Sequence, residues 1–86
     1  MIRKLKLSTE YFEAVLQDRK RVEIRIADKP YRVGDVLVLE EFDAHKRSPY
    51  TGRKVYREIT HILQGAPYVP DGYVALSIAP LEEDVH

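Results

Sequence analysis

The stretch that decides the fold is DRKRVEIRIADKPYRVGD, residues 18–35. Its first half alternates between apolar and charged residues, so three β-branched side chains share one face and Arg21, Glu23 and Arg25 share the other. This period of two predicts a strand over 20–26. Pro30 disfavours helix and indicates a turn before the chain continues. The alternation leaves open whether the charged row faces solvent or forms the floor of a pocket.

The segments around this stretch predict one helix and four more strands. IRKLKL at 2–7 is a short strand, and Ser8 or Thr9 is a plausible N-cap for a helix that ends near Gln17 or Asp18. Strands are also predicted at 36–42, 53–63 and 73–79, with exposed loops at 43–52 and 64–72. One early helix followed by consecutive strands predicts an α+β fold. We expect a mostly antiparallel sheet of about five strands, curled into a small β-barrel with the helix packed against it.

The length and composition bound the class of protein. The 86 residues predict a single domain, 1–86, with a core over about 2–79 and a C-terminal tail at 80–86. The chain has no cysteine, which excludes disulfides and thiolate chemistry, and its three histidines show no metal-ligand spacing. We therefore predict no metal site and no cofactor. No apolar run reaches the roughly 20 residues of a membrane span, and no signal peptide is evident, so we expect a cytoplasmic monomer.

The charges are unevenly distributed along the chain. All 14 Lys and Arg residues lie in residues 1–57, whereas residues 58–86 contain Asp and Glu but no Lys or Arg. The first segment could therefore form a basic patch for phosphates. Alternatively, a small fold mixes the two segments in space, and the asymmetry disappears.

Lys20, Glu23 and Arg25 are the first candidates for a site. On a strand, Glu23 and Arg25 point the same way, with Cα atoms roughly 6.6 Å apart. Arg25 could offer a planar fork to phosphate, Glu23 could accept a hydrogen bond from a base amino group, and Lys20 could cover phosphate. The alternative is a solvated face with a weak ion pair worth under ~1 kcal/mol. Spacing alone favours the solvated face.

Several tyrosines fall in or beside predicted turns. Tyr31, Tyr50 and Tyr73 could stack on nucleobases, and Tyr50 lies in a predicted loop that contains Lys46 and Arg47 and is followed directly by Arg53. For each tyrosine taken singly, a place at the edge of the core, with its ring buried and its hydroxyl hydrated, is favoured.

Four segments together resemble one family. They are YFEAVLQDRKRVEIRIADKPYRVGDVLVLEEFD at 11–43, YTGR at 50–53, HILQG at 61–65 and GYVALSI at 72–78. They are similar to the DUF3850 family of the ASCH/PUA-like superfamily, small domains often found in phages and bacteria. The resemblance implies a PUA-like β-barrel with a cleft beside the segment that follows the helix, and binding of RNA or a nucleotide there. The implied binding residues are Lys20, Glu23, Arg25, Tyr31, Tyr50, Arg53 and Tyr73.

The same resemblance offers two other functions. Some ASCH proteins are amidohydrolases that deacetylate N4-acetylcytidine through a GRKTxTxR segment. This chain keeps the lysine as Lys20 and the arginine as Arg25, but it has Glu23 at the second threonine. Lys20 and Glu23 would be the catalytic pair if the protein were such a hydrolase, although we lean against an enzyme. A phage-type accessory protein that binds a host protein is the further alternative.

Two departures from the family pattern lead to structural expectations. Asp18 stands where the family has the glycine that ends the helix, so we expect a longer helix end. ADKP at 27–30 replaces an Asn-Asp-Arg turn, and we expect fewer polar contacts at the mouth of the cleft.

Overall fold

The computed structural model describes residues 1–81 and contains one helix and five strands within them. The elements are β1 (Ile2–Ser8), α1 (Thr9–Leu16), β2 (Val22–Ile26), β3 (Val36–Phe42), β4 (Tyr50–Gln64) and β5 (Tyr73–Ala79). Most of the predicted C-terminal tail, residues 82–86, lies outside the described residues. Between residues 1 and 81, no helix has the length and apolar content needed to cross a membrane.

The five strands form one mixed sheet in the order β1-β3-β4-β5-β2. The β1–β3 pair is parallel and the other three pairs are antiparallel. The sheet curls into a half-barrel that brings its two edge strands together. The Arg25 guanidinium on β2 donates a hydrogen bond to the Lys6 carbonyl on β1 at 2.8 Å. These features confirm the predicted α+β fold with a curled, mostly antiparallel sheet.

Strand β4 begins earlier than the sequence predicts. Residues 50–52 were expected in a loop, but Tyr50 pairs with Phe42 of β3 beyond an irregularity in the register after Glu40. The two rings meet edge to face with centroids 5.0 Å apart. Gly52 has φ +91°, a conformation that side-chain-bearing residues rarely adopt, and so lets the strand pass through this region.

The apolar core lies inside the half-barrel and is covered by α1, which packs against β1 and β3. Phe12 and Val15 of α1 are buried, whereas Leu16 is 44% exposed. The guanidinium of Arg57, a buried residue of β4, donates a hydrogen bond to the Val15 carbonyl at 2.9 Å. This contact satisfies a carbonyl near the end of α1, where a positive charge is favoured.

In β2 the charged residues Glu23 and Arg25 face inward and the isoleucines face outward, although an apolar inner face is the simpler interpretation of the alternation. Glu23 pairs in register with Leu76 of β5, a core residue, and is itself only 2% exposed. Ile24 and Ile26 instead point outward and are 61% and 59% exposed. Because paired residues in a sheet share a face, Arg25 also points inward. The solvated-face interpretation is therefore wrong for Glu23.

Helix α1 ends without the extension that Asp18 was expected to give. The helix stops at Leu16, within a residue or two of the predicted end, and Asp18 adopts φ +60°. The Asp18 backbone N–H donates to the Val15 carbonyl at 2.9 Å. Asp18 thus occupies the left-handed conformation that glycine commonly takes after a helix, so the aspartate does not lengthen α1.

The left-handed backbone at Asp18 predicts an ordered effect of substitutions on stability. A side chain other than Asp or Asn costs about 1 kcal/mol or more in this region, whereas glycine does not. We expect Asp18→Ala to have a free energy of unfolding about 1 kcal/mol below that of Asp18→Gly. Urea unfolding followed by circular dichroism measures this difference. Equal stability of the two variants would show that the conformation carries no strain.

Candidate functional site

A cleft of about 540 Å³ lies between the edge strands β1 and β2, beside α1. It is lined by residues of all three elements and by the link between α1 and β2. These residues are Lys6, Leu7, Ser8, Tyr11, Lys20, Val22, Glu23, Ile24 and Arg25. The structure therefore brings together Lys20, Glu23 and Arg25, the first site candidates from the sequence, whereas Arg21 of the charged row does not line the cleft.

Glu23 lies between two of the three cations that line this cleft, Lys20 and Arg25. Its Oε1 contacts the Lys20 ammonium, and its Oε2 accepts a hydrogen bond from the Arg25 Nε at 2.9 Å. The Lys20 ammonium also donates to the Val22 carbonyl at 2.5 Å. The Glu23 side chain is 3% exposed, but those of Lys20 and Arg25 are 22% and 24% exposed. A ligand entering the cleft would meet the two cations before the carboxylate.

This arrangement fixes the direction of the cationic donors. A buried carboxylate is stable only when it is paired, and here each oxygen has a cationic partner. The Arg25 guanidinium is held further by the Lys6 carbonyl on β1. Two cations against one carboxylate leave the floor with a net positive charge. The cleft therefore presents oriented donors suited to an anion such as phosphate.

An aromatic ring and an apolar side chain border the charged floor. Tyr11 of α1 is 52% exposed, and the Lys20 ammonium lies 5.7 Å from the centre of its ring. Ile24 of β2 also lines the cleft. Sequence reasoning missed Tyr11, Lys6 and Ser8 as site residues. The sequence offered one sign for Tyr11, an aromatic residue beside the apolar stripe of α1. Lys6 and Ser8 could not be found in this way, because β1 comes close to β2 only when the sheet closes.

Two further hollows adjoin the cleft, and Arg25 lines both. One, of about 310 Å³, is also lined by Tyr31 and Tyr73, which places these two predicted residues beside Arg25. The other, of about 530 Å³, is lined by Phe42 and His45 among others. Arg25 therefore lies where three adjoining depressions meet.

Two other predicted site residues, Arg53 and Tyr50, line none of these three hollows. Arg53 binds the buried carboxylate of Glu41 through its Nε at 2.9 Å and its Nη2 at 3.1 Å, and it also contacts Glu13 of α1. Thr51 donates a hydrogen bond to Glu41 at 2.6 Å. The hydrogen bonds from Arg53 and Thr51 lower the pKa of Glu41 to about 2. The hydrogen bonds that Arg53 donates to Glu41 and Glu13 raise the pKa of Arg53. The cluster links α1 to β3 and β4.

Asp35, the last residue of the 18–35 stretch, stabilises a turn through its side chain. Its Oδ2 accepts a hydrogen bond from the Arg32 backbone N–H at 3.0 Å, and its Oδ1 accepts one from the terminal amine of Met1 at 3.0 Å. Burial raises the pKa of Asp35, but these bonds and the nearby positive charges outweigh burial and lower it. Asp35 therefore holds the turn that leads into β3.

The chain belongs to the family described as Domain of unknown function (DUF3850), whose model matches residues 2–78. This match confirms the family identified from the sequence motifs. The chain is also similar to a protein of Escherichia phage P2 described as an uncharacterized 12.9 kDa protein in the GpA 3′ region. The two are 39% identical over 75 residues. The alignment covers 87% of this chain and spans 65% of the phage protein's length.

The lowered pKa of Glu41 predicts a loss of stability in acid. A pKa of about 2 in the folded chain, against an ordinary value of 4.5, means that the ionised carboxylate stabilises the fold above pH 4.5. We expect the free energy of unfolding to fall as the pH is lowered from 4.5 toward 2. Asp35, whose pKa is also lowered, contributes a loss of the same sign.

Glu41→Gln tests the contribution of this cluster. The variant should be less stable than the wild type at pH 7, and the difference should shrink as the pH falls through the same range. Urea titrations at several pH values measure it. Glu40→Gln is the matched control, because Glu40 is a neighbour on β3 that makes no ion pair within residues 1–81. A Glu40→Gln variant with the same pH dependence as Glu41→Gln would contradict the assignment.

Proposed function

We propose that this protein binds RNA or a nucleotide in the cleft between β1 and β2. One observation supports the proposal above all others. A carboxylate, that of Glu23, is buried between two partly exposed cations, Lys20 and Arg25, on the floor of an open cleft. Charged groups held by a buried partner are already oriented, so a phosphate would bind with little further ordering.

The cleft suggests a role for each residue. Arg25 and Lys20 would contact phosphate, and Lys6 adds a third cation to the same lining. Tyr11 would stack against a base or a ribose. Glu23 would orient the two cations, because both of its oxygens are already engaged. The resemblance to ASCH/PUA-like proteins, a superfamily that includes RNA-binding domains, supports the same class of ligand.

Substitutions in the cleft should weaken binding in a salt-dependent way. We expect Arg25→Gln to lower affinity for a short RNA by about 10-fold to 100-fold, as for other charge-assisted hydrogen bonds. For the wild type, three phosphate-contacting cations predict a slope of about −2 for log K against log salt concentration, and each lost cation should reduce it by roughly 0.7. Fluorescence anisotropy at several salt concentrations measures both quantities.

Lys54→Gln is the control for these experiments. Lys54 is an exposed cation on β4 that lines none of the three hollows. Its loss should leave the affinity within about 2-fold of the wild type. Unfolding midpoints of all variants separate loss of binding from loss of fold. An affinity that does not change with salt, or equal losses for Lys54→Gln and Arg25→Gln, would disprove binding at the cleft.

A second candidate function is hydrolysis of an N-acylated nucleoside such as N4-acetylcytidine. The direct contact between the Lys20 ammonium and the Glu23 carboxylate favours it, because such a pair can exchange a proton. In this reaction water adds to the acyl carbonyl, the C–N bond breaks, and the nitrogen gains a proton as acetate leaves. Glu23 would accept the proton from water and Lys20 would supply one to the nitrogen.

Incubation with a panel of acylated nucleosides tests this second function. We expect acetate release by the wild type to fall at least 100-fold in both Lys20→Met and Glu23→Gln if the pair is catalytic. Chromatography of the nucleoside products measures turnover. Turnover that survives both substitutions would remove the pair from the mechanism. If the protein binds these nucleosides but does not hydrolyse them, only the binding function is supported.

A further inference from the structure

Arg25 lines three depressions that lie side by side. The central cleft of about 540 Å³ shares Lys6, Ser8 and Arg25 with the hollow of about 530 Å³ beside β3. It shares Ile24 and Arg25 with the hollow of about 310 Å³ beside Tyr73. Each depression is within or near the volume of a site for one small molecule. A single nucleotide in the centre would leave both flanking hollows empty.

Each depression has an aromatic side chain available for contact. Tyr11 lines the centre, and Tyr73, which is 42% exposed, lines the smaller flank. In the other flank the Phe42 ring is already occupied by the Lys6 ammonium, which lies 4.4 Å from its centre. His45, an exposed residue of the same lining, therefore provides the available ring. Aromatic rings spaced along one groove are typical of surfaces on which successive bases stack.

The central cleft differs from the two flanking hollows in the charges that line it. The central lining carries Lys6, Lys20 and Arg25 against the single carboxylate of Glu23. Both flanks include acidic residues: Asp28 lines the smaller one, next to Lys29, whereas Glu10 and Asp43 line the larger one. The excess of positive charge is therefore greatest at the centre, where phosphates are favoured. The flanking carboxylates can accept hydrogen bonds from base amino groups.

We propose that the ligand is a single-stranded oligonucleotide of at least three nucleotides, with its phosphates around Arg25 and a base in each of the three depressions. This inference rests on the proposed binding function and narrows its ligand class from nucleotides in general to a single strand. A duplex does not fit, because the bases must leave their stack to reach separate aromatic rings.

A length series tests the inference. The probes are adenosine 5′-monophosphate and 5′-phosphorylated oligoadenylates of two, three, four and six residues, as RNA and as DNA, competing with a labelled hexamer. We expect each base up to the third to raise affinity by about 5-fold to 100-fold. Beyond three, the affinity should rise by no more than about 3-fold, since added residues meet no further depression and gain only electrostatic and statistical terms.

Two substitutions should each remove the gain in affinity that one added nucleotide brings. Tyr73→Ala and His45→Ala should lower trimer affinity by about 5-fold or more and leave monophosphate binding within 2-fold of the wild type. Tyr68→Ala is the matched control, because Tyr68 is 79% exposed and lines none of the three depressions. Its trimer affinity should equal that of the wild type.

The outcomes separate this inference from the function on which it rests. Failure of every probe to bind would overturn the binding function and the inference together. A monophosphate that binds as tightly as the trimer would overturn the inference alone. Affinity that climbs steadily beyond three residues, or a hairpin duplex that binds as well as the single strand, would also overturn it. A plateau at three with both substitution effects would support it.

Discussion

The burial of one carboxylate constrains the whole cleft side of this fold. Glu23 points into the half-barrel on an edge strand, where an unpaired charge would cost several kcal/mol. Its two oxygens therefore require two cationic partners, which the chain supplies from residues 20 and 25. One of them, Arg25, also bonds to the opposite edge strand. The carboxylate thus faces inward on β2 and holds both cations, and one of these cations links the two sheet edges.

A second polar cluster, built around the buried carboxylate of Glu41, contacts α1 away from the cleft lining. Glu41 of β3 holds Arg53 and Thr51 of β4, and Arg53 reaches Glu13 on the helix. The Arg57 guanidinium lies nearby in the chain and bonds to the end of the same helix. The short helix is therefore fixed by directional contacts as well as by its apolar face. A helix of eight residues has little stability of its own, so these contacts position Tyr11 beside the cleft.

Much of the fold could be predicted from sequence, because each strand has a strong local pattern. The existence of β2 followed from alternation, but alternation is symmetric and cannot show which face is buried. The outward position of Ile24 depends on pairing with β5, a contact between distant segments. Likewise, the parallel pairing of β1 with β3 and the early start of β4 at Tyr50 follow from closure of the sheet.

The site was predictable only in part, for the same reason. Lys20, Glu23 and Arg25 lie within six residues, and a sequence motif could group them. Tyr11 and His45 come from other segments and reach the groove only in the folded chain. Arg53 had the residue type of a phosphate ligand, but the sequence gives no sign that two carboxylates engage it.

The orientation of β2 also means that its register is held by charge. A shift of one residue against β5 would turn Ile24 and Ile26 inward and Glu23 outward, an arrangement that hydrophobic burial alone would favour. In the observed register the carboxylate bonds to Lys20 and Arg25, and Arg25 bonds to β1, and the shifted pairing would break these contacts. Loss of that carboxylate would remove two of these contacts and so weaken the preference for the observed register. Strand β2 is therefore the element at which this sequence comes nearest to encoding two alternative sheets.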